Sequence, residues 1–274
     1  MKKILVPTDF SDNANLALQY AVMLAQKSGA EITLLHVYDI FIPIDGTPLM
    51  PYAQELLKET SENRLQECAK TFITGNVKCH ILSVLGSPAY IIEKVANEKN
   101  MELVVMGIRG GSRLSQIVIG STTTALIRNV QIPVFVIPEN TTVQAPDKMI
   151  FPYDGKEIPT KATMKPLKEI AEMFDCEILT LNVISELEAK VMDKHYIARE
   201  AFHALGNMNY SMHFTESGDV LQSINHFIDE HGVNAVAMIY YPRGFFTRII
   251  MESRTHKMAF YTKKPLLILP EIAD

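Results

Sequence analysis

Residues 107–121 run Gly107-Ile108-Arg109-Gly110, then nine residues, then Gly120-Ser121. The apolar run Leu103-Val104-Val105-Met106 precedes them and has the length and composition of a buried strand. Thr122-Thr123-Thr124-Ala125-Leu126-Ile127-Arg128 follows and can open a helix. A strand, a glycine-bearing loop and a hydroxyl-rich helix start together can hold phosphate. Glycine lets the backbone approach a ligand and adopt positive φ. The free N–H groups of a helix start, and the positive end of its dipole, favour an anion. The Ser121 and Thr122 hydroxyls would add donors. The same residues also fit an ordinary turn followed by a capping cluster. The pattern is not a Walker loop, because no Gly-Lys-[Ser/Thr] follows, and it is not Gly-x-Gly-x-x-Gly.

Few other residues suggest chemistry. Asp9 follows the first apolar run directly, where a carboxylate commonly caps an entering helix. Arg109 lies inside the glycine loop, where a guanidinium can neutralise phosphate or simply be solvated. His36 sits among apolar residues on a strand and reads as a hydrogen-bonded core histidine. The remaining histidines and the three cysteines show no metal-ligand or redox spacing, so no site built from protein ligands alone is expected to hold a metal. An odd cysteine count fits a reducing cytoplasm.

The elements that must position these residues follow from size and pattern. A chain of 274 residues suggests two domains, and 47% hydrophobic residues supply a core for each. No run of apolar residues is long enough to span a membrane, and the start is too short for a signal peptide and runs straight into a strand. A net charge of -5 without a dense basic stripe argues against a nucleic-acid partner.

The two halves repeat. Val6-Pro7-Thr8-Asp9 matches Phe151-Pro152-Tyr153-Asp154, and Leu35-His36-Val37 matches Leu181-Asn182-Val183. Gly86 matches Gly218, and Val104-Val105-Met106 matches Val236-Ala237-Met238. Pro133 to Pro138 matches Pro265 to Pro270. A domain-length period indicates tandem duplication. Residues 139–147 (ENTTVQAPD) are polar and aperiodic, and serve as linker between domains at 1–138 and 148–274.

In the first half, strands are expected at 4–6, 31–37, 80–84, 103–106 and 134–137. Ser11 or Asp12 caps a helix with the stripe Leu18, Ala21, Val22 and Ala25, and Ser28-Gly29 ends it. Helical composition marks 53–74, and Ser87-Pro88 opens another helix. Alternating strands and helices imply an α/β fold with a parallel sheet covered on both faces. Ligands then bind at the carboxyl ends of strands, where strand order reverses. Residues 39–52 (DIFIPIDGTPLMPY) read as a lid, a partner contact or a loop packed on its own domain.

The spacing Gly-x2-Gly-x9-Gly-[Ser/Thr] resembles the ATP-binding signature of one subset of the universal stress protein family. Lys3 to Ser11 resembles that family's opening strand and loop, Leu34 to Val37 its second strand, Gly86-Ser87-Pro88 its third strand-to-helix turn, and Val134 to Pro138 its closing strand. The resemblance implies two doubly wound, five-stranded α/β domains, with the closing strands pairing as an internal pseudo-dimer, and homodimers as a further assembly. It implies ATP, with ADP or AMP as alternatives, and Mg²⁺ or Mn²⁺ riding on the phosphates. Pro7, Thr8 and Asp9 are expected at the nucleoside, with the carboxylate on a ribose hydroxyl or metal. The Val37 backbone is expected at the adenine edge, and Met106 as a wall. Gly107, Arg109, Gly110, Gly120, Ser121, Thr122 and Thr123 are expected at the phosphates.

Aligned from the closing prolines, Gly107, Gly110 and Gly120 fall on Ile239, Pro242 and Glu252 in the second half. A proline lacks the N–H donor and a glutamate repels phosphate, so this half is not expected to bind ATP in that manner. Its cluster Arg243, Arg248, Arg254, His256 and Lys257 reads as a basic solvated surface or pairing face. The resemblance implies a nucleotide-dependent stress regulator with a protein partner still to be found. A slow ATPase and a ligand-free interaction protein are the alternatives. No general base stands out, and Pro7-Thr8-Asp9-Phe10-Ser11 is not the Ser-Gly-Gly-x-Asp-Ser loop of adenylating relatives.

Overall fold

The computed structural model of the chain describes residues 1–39, 51–108, 121–129, 131–153, 159–184, 208–217, 219–241 and 264–272. It divides into two compact units between Val143 and Gln144. The loop expected over 39–52 lies almost wholly outside the described residues, as do Arg109, Gly110, Gly120, Asp154, Gly218, Pro242, Glu252 and the basic cluster of the second half.

In the first unit, strands β1 (Lys3–Pro7), β2 (Glu31–Tyr38), β3 (Cys79–Leu85), β4 (Leu103–Ile108) and β5 (Val134–Pro138) alternate with four helices. These are α1 (Asp12–Ser28), α2 (Pro51–Phe72), α3 (Pro88–Glu98) and α4 (Ser121–Asn129). The strand order is β3-β2-β1-β4-β5, and the pairs are parallel. The chain therefore steps outward from β1 to β3, then crosses back to β4 on the other side of β1. α1 packs against α2, and α3 against α4, as right-handed crossovers in opposite directions require. The reversal of order falls between β1 and β4, where open α/β sheets hold ligands.

Helix α1 shows how local signals set this frame. Ser11 is its N-cap, with the hydroxyl accepting from the Ala14 N–H, and Gly29 ends it in the left-handed region at φ 72°. Leu18, Ala21, Val22 and Ala25 are all buried on the sheet-facing stripe. A fully buried leucine such as Leu18 contributes about 1.5–3 kcal/mol over its exposed state. At α3, Pro88 occupies the first turn as the sequence indicates, but the Ser87 side chain makes no capping hydrogen bond.

The second unit repeats the plan with β6 (Lys148–Pro152), α5 (Lys161–Phe174), β7 (Glu177–Ile184), β8 (Tyr210–Glu216), α6 (Val220–His231), β9 (Ala235–Tyr240) and β10 (Leu266–Pro270). Its order, β10-β9-β6-β7-β8, is again parallel. The repeat holds at single hydrogen bonds. The Thr8 N–H donates to the Leu35 carbonyl at 2.8 Å, and the Tyr153 N–H to the Leu181 carbonyl at 3.0 Å.

Several boundaries differ by one or two residues from the sequence expectation, and the one at β4 bears on the site. β4 continues through Gly107 and Ile108, which stand opposite Ile137 and Pro138 of β5. Gly107 is thus a strand residue, and the described strand runs to Ile108. Pairing with β5 carries the strand past the apolar run that pattern alone detects.

Candidate functional site

The three strands around the reversal run level. Pro7 stands opposite Leu35, and Leu5 stands opposite Val104. The residues just beyond Pro7, Val37 on β2 and Gly107 on β4 are therefore brought to one end of the sheet. There β1 leaves the ladder: the Phe10 N–H donates to Thr8 Oγ1 at 2.9 Å, and the Ser11 N–H donates to Asp9 Oδ1 at 3.0 Å. These two turns deliver the chain into α1 and hold Asp9 exposed beside a helix N-terminus, while Thr8 is buried. Phe10 adopts φ 63°, which is uncommon for a bulky non-glycine residue and marks a constrained bend.

Phe10 is also the centre of a stack that sequence reading missed. Its ring lies 4.5 Å from that of His36, and Arg64 Cζ lies 4.1 Å from its centroid. His36 Nδ1 meets Ser61 Oγ at 2.7 Å, and Ser61 Oγ meets Ser83 Oγ at 2.5 Å. His36 is therefore the hydrogen-bonded histidine its apolar neighbours indicated. Desolvation holds its pKa below the ordinary value, the nearby Arg64 charge adds to that, and Asp9 opposes it. No sequence signal links Arg64 on α2 to Phe10, because the contact is made by topology.

A second missed residue is Asn13, in the first turn of α1. Its Nδ2 donates to the carbonyl of Ile108, the last described residue of β4. A β-carbon built on Gly107 would lie 2.6 Å from the Asn13 carbonyl oxygen and 2.7 Å from Asn13 Nδ2. Glycine at 107 is thus required by helix-to-strand packing, whatever else it does. Asn13 is only 7% exposed, and among the described residues its Oδ1 has no hydrogen-bond partner.

Of the residues expected at the site, Pro7, Thr8, Asp9, Val37, Met106 and Gly107 come to the carboxyl ends of adjacent strands. Met106 is buried opposite Val136. Ser121, Thr122 and Thr123 form the first turn of α4, with Thr123 buried and Thr122 half-buried. Arg109, Gly110 and Gly120 lie outside the described residues. A separate crevice of about 730 Å³ runs along α1, lined by Asp12, Asn13, Gln19, Phe72 and Thr141 among others. None of the expected site residues that the structure describes lines it. Among the described residues, no group of three or more His, Cys, Asp or Glu could hold a metal ion. No helix among them is long and apolar enough to cross a membrane.

In the second unit, Ile239 stands opposite Leu269 as Gly107 stands opposite Ile137. Ile239 is buried, so the second unit carries a branched side chain at the register position that Gly107 holds in the first.

Residues 1–138 match the model of the universal stress protein family. Universal stress protein MJ0531 of Methanocaldococcus jannaschii is 33% identical over 138 residues, 50% of this chain and 81% of that protein. Universal stress protein MJ0577 of the same organism is 30% identical over 152 residues, 50% of this chain and 94% of its own length. The crystal structure of a universal stress protein from Archaeoglobus fulgidus superposes with a TM-score of 0.75 at 21% identity, over 98% of this chain and 96% of that one. That likeness in fold extends over both units.

Proposed function

The chain belongs to the universal stress protein family, and from that premise we propose that its first domain, residues 1–138, binds ATP where strand order reverses between β1 and β4. One observation carries the reading. The sequence spacing Gly107, Gly110, Gly120-Ser121 begins on the strand beside β1, at the sheet end where Asp9 stands exposed. The pieces fit the ligand. Asp9 offers a carboxylate for a ribose hydroxyl. The Val37 backbone lies level with it for the adenine edge, and Met106 walls the base. The segment from Gly107 to Thr123, with Arg109 inside it, meets a triphosphate with N–H groups, hydroxyls and the positive end of the α4 dipole. A Mg²⁺ or Mn²⁺ ion, where present, accompanies the phosphates.

The second domain, residues 148–274, takes no ATP in this manner. Ile239 in the register position of Gly107 supports this, since a branched side chain stands where backbone must come close. The chain acts as a cytoplasmic regulator, in which bound nucleotide favours one conformation or partner over another. The test is to purify the chain without added nucleotide, heat-denature it, and analyse the supernatant by ion exchange with mass detection. About one adenine nucleotide per chain supports the reading. A chain that carries none, and whose melting temperature ATP does not raise, refutes it.

A further inference from the structure

We propose that the crevice along α1 is a second binding site, one that takes a polyamine: an extended aliphatic chain bearing several ammonium groups. The proposal is independent of the ATP reading. Among the described residues, three carry buried side-chain polar atoms without a hydrogen-bond partner: Asn13, Thr141 and Asn182. Two of these three, Asn13 and Thr141, wall this one crevice. Buried polar groups nearly always find a partner, so two orphans in one wall system mark a place where the partner comes from outside. Asn13 is 7% exposed, and its Nδ2 is spent on the Ile108 carbonyl. The two ends of a planar amide point apart, so Oδ1 is turned away from β4, into the wall of the crevice. Thr141 Oγ1 comes from a different element, the chain beyond β5, which Asn140 bends at φ 61°.

Charge and shape select the ligand. Asp12 brings a carboxylate from α1 and Glu139 brings another from beyond β5, and none of the described lining residues is Lys, Arg or His. The start of α1 adds roughly half a positive charge, which two carboxylates outweigh. The crevice therefore favours a cation, and its unpartnered oxygens call for N–H donors. An ammonium group supplies both. From Asp12 to Gln19 the helix advances seven residues, or about 10 Å at 1.5 Å each, so acceptors are spread along two turns instead of gathered around a point. Among the described residues, no group of His, Cys, Asp or Glu could cage a metal ion. Leu16 and Phe72 give the methylene stem of an amine an apolar surface to lie on. A volume of about 730 Å³ falls in the usual range for a small-molecule site.

The experiment is calorimetric titration of spermidine into the full chain, and into Glu139→Gln and Thr141→Val. No nucleotide is present, so the result holds whether or not the chain binds ATP. Glu139 is exposed, and valine keeps the shape of threonine, so both variants should melt close to the unsubstituted chain. Should one melt early, the other decides. About one spermidine per chain is expected, with its dissociation constant raised about tenfold in Glu139→Gln and about threefold or more in Thr141→Val. Binding that both variants leave unchanged would mean that spermidine only screens the net charge of -5, and would overturn the proposal. Absence of binding at millimolar spermidine overturns it too. So does displacement of spermidine by an equal concentration of Mg²⁺, which would make the crevice a site for a divalent ion.

Discussion

Gly107 of β4 lies against the backbone of Asn13 in α1, close enough that a β-carbon on the glycine would fall 2.6 Å from the Asn13 carbonyl oxygen and 2.8 Å from its carbonyl carbon. The helix that leaves β1 and the strand that enters the glycine segment are therefore in direct backbone contact. Gly107→Ala is expected to destabilise the fold by about 1–3 kcal/mol, the range for forcing a methyl group into a packed site. Because two of the nearest atoms are backbone, shortening Asn13 does not relieve the clash. Urea unfolding of Gly107→Ala, alone and combined with Asn13→Gly, checks both statements. An alanine variant with an unchanged midpoint would contradict this packing.

The stack of Arg64, Phe10 and His36 predicts a pH response. Desolvation first, and Arg64 second, lower the His36 pKa from its ordinary 6.5, while Asp9 raises it. A histidine held neutral in the folded chain takes up its proton sooner when unfolded. Its stabilising contribution is full above about 6.5, and is lost as pH falls through the lower folded value. His213 in the second unit has the same sign, through burial and the neighbouring His231. Stability should therefore fall on acidification from pH 7 to about 5. Titrating the His36 ring by NMR tests the causes. Arg64→Gln should raise its pKa, and Asp9→Asn should lower it further.

The three cysteines predict slow thiol chemistry. All three are free, and burial raises each pKa, that of Cys79 to about 11 and that of Cys176 to about 12. Because the thiolate is the nucleophile, Cys79 near 11 instead of 9.0 presents about a hundredfold less of it. Alkylation by iodoacetamide at pH 8 should be slow in the folded chain and fast in urea. Rapid labelling of the native protein would contradict the raised pKa values of these thiols.

Most of the frame was legible because local chemistry and period agree with it. Ser11, Gly29 and the Leu18 stripe each signal α1 independently, and the structure uses all of them. The repeat was legible in Pro7 and Pro152, and it reappears in the matching hydrogen bonds of Thr8 and Tyr153. What pattern could not supply was contact between distant segments. Gly107 reads as a loop glycine, yet it is a strand residue whose lack of a side chain admits Asn13. Asn13 itself carries no signal, since an asparagine in a first helical turn is ordinary. Arg64 above Phe10 is likewise a consequence of where α2 lies.

The central proposal, a single ATP site in the first domain, is tested best by the stoichiometry of ATP binding to the full chain by calorimetric titration, with and without Gly120→Glu. That substitution copies into the first domain the residue its repeat carries at Glu252. About one ATP per chain is expected, with loss of binding in Gly120→Glu and the melting temperature of the ligand-free chain essentially unchanged. Binding that survives Gly120→Glu, or two equivalents of ATP per chain, would contradict a single site at the glycine segment.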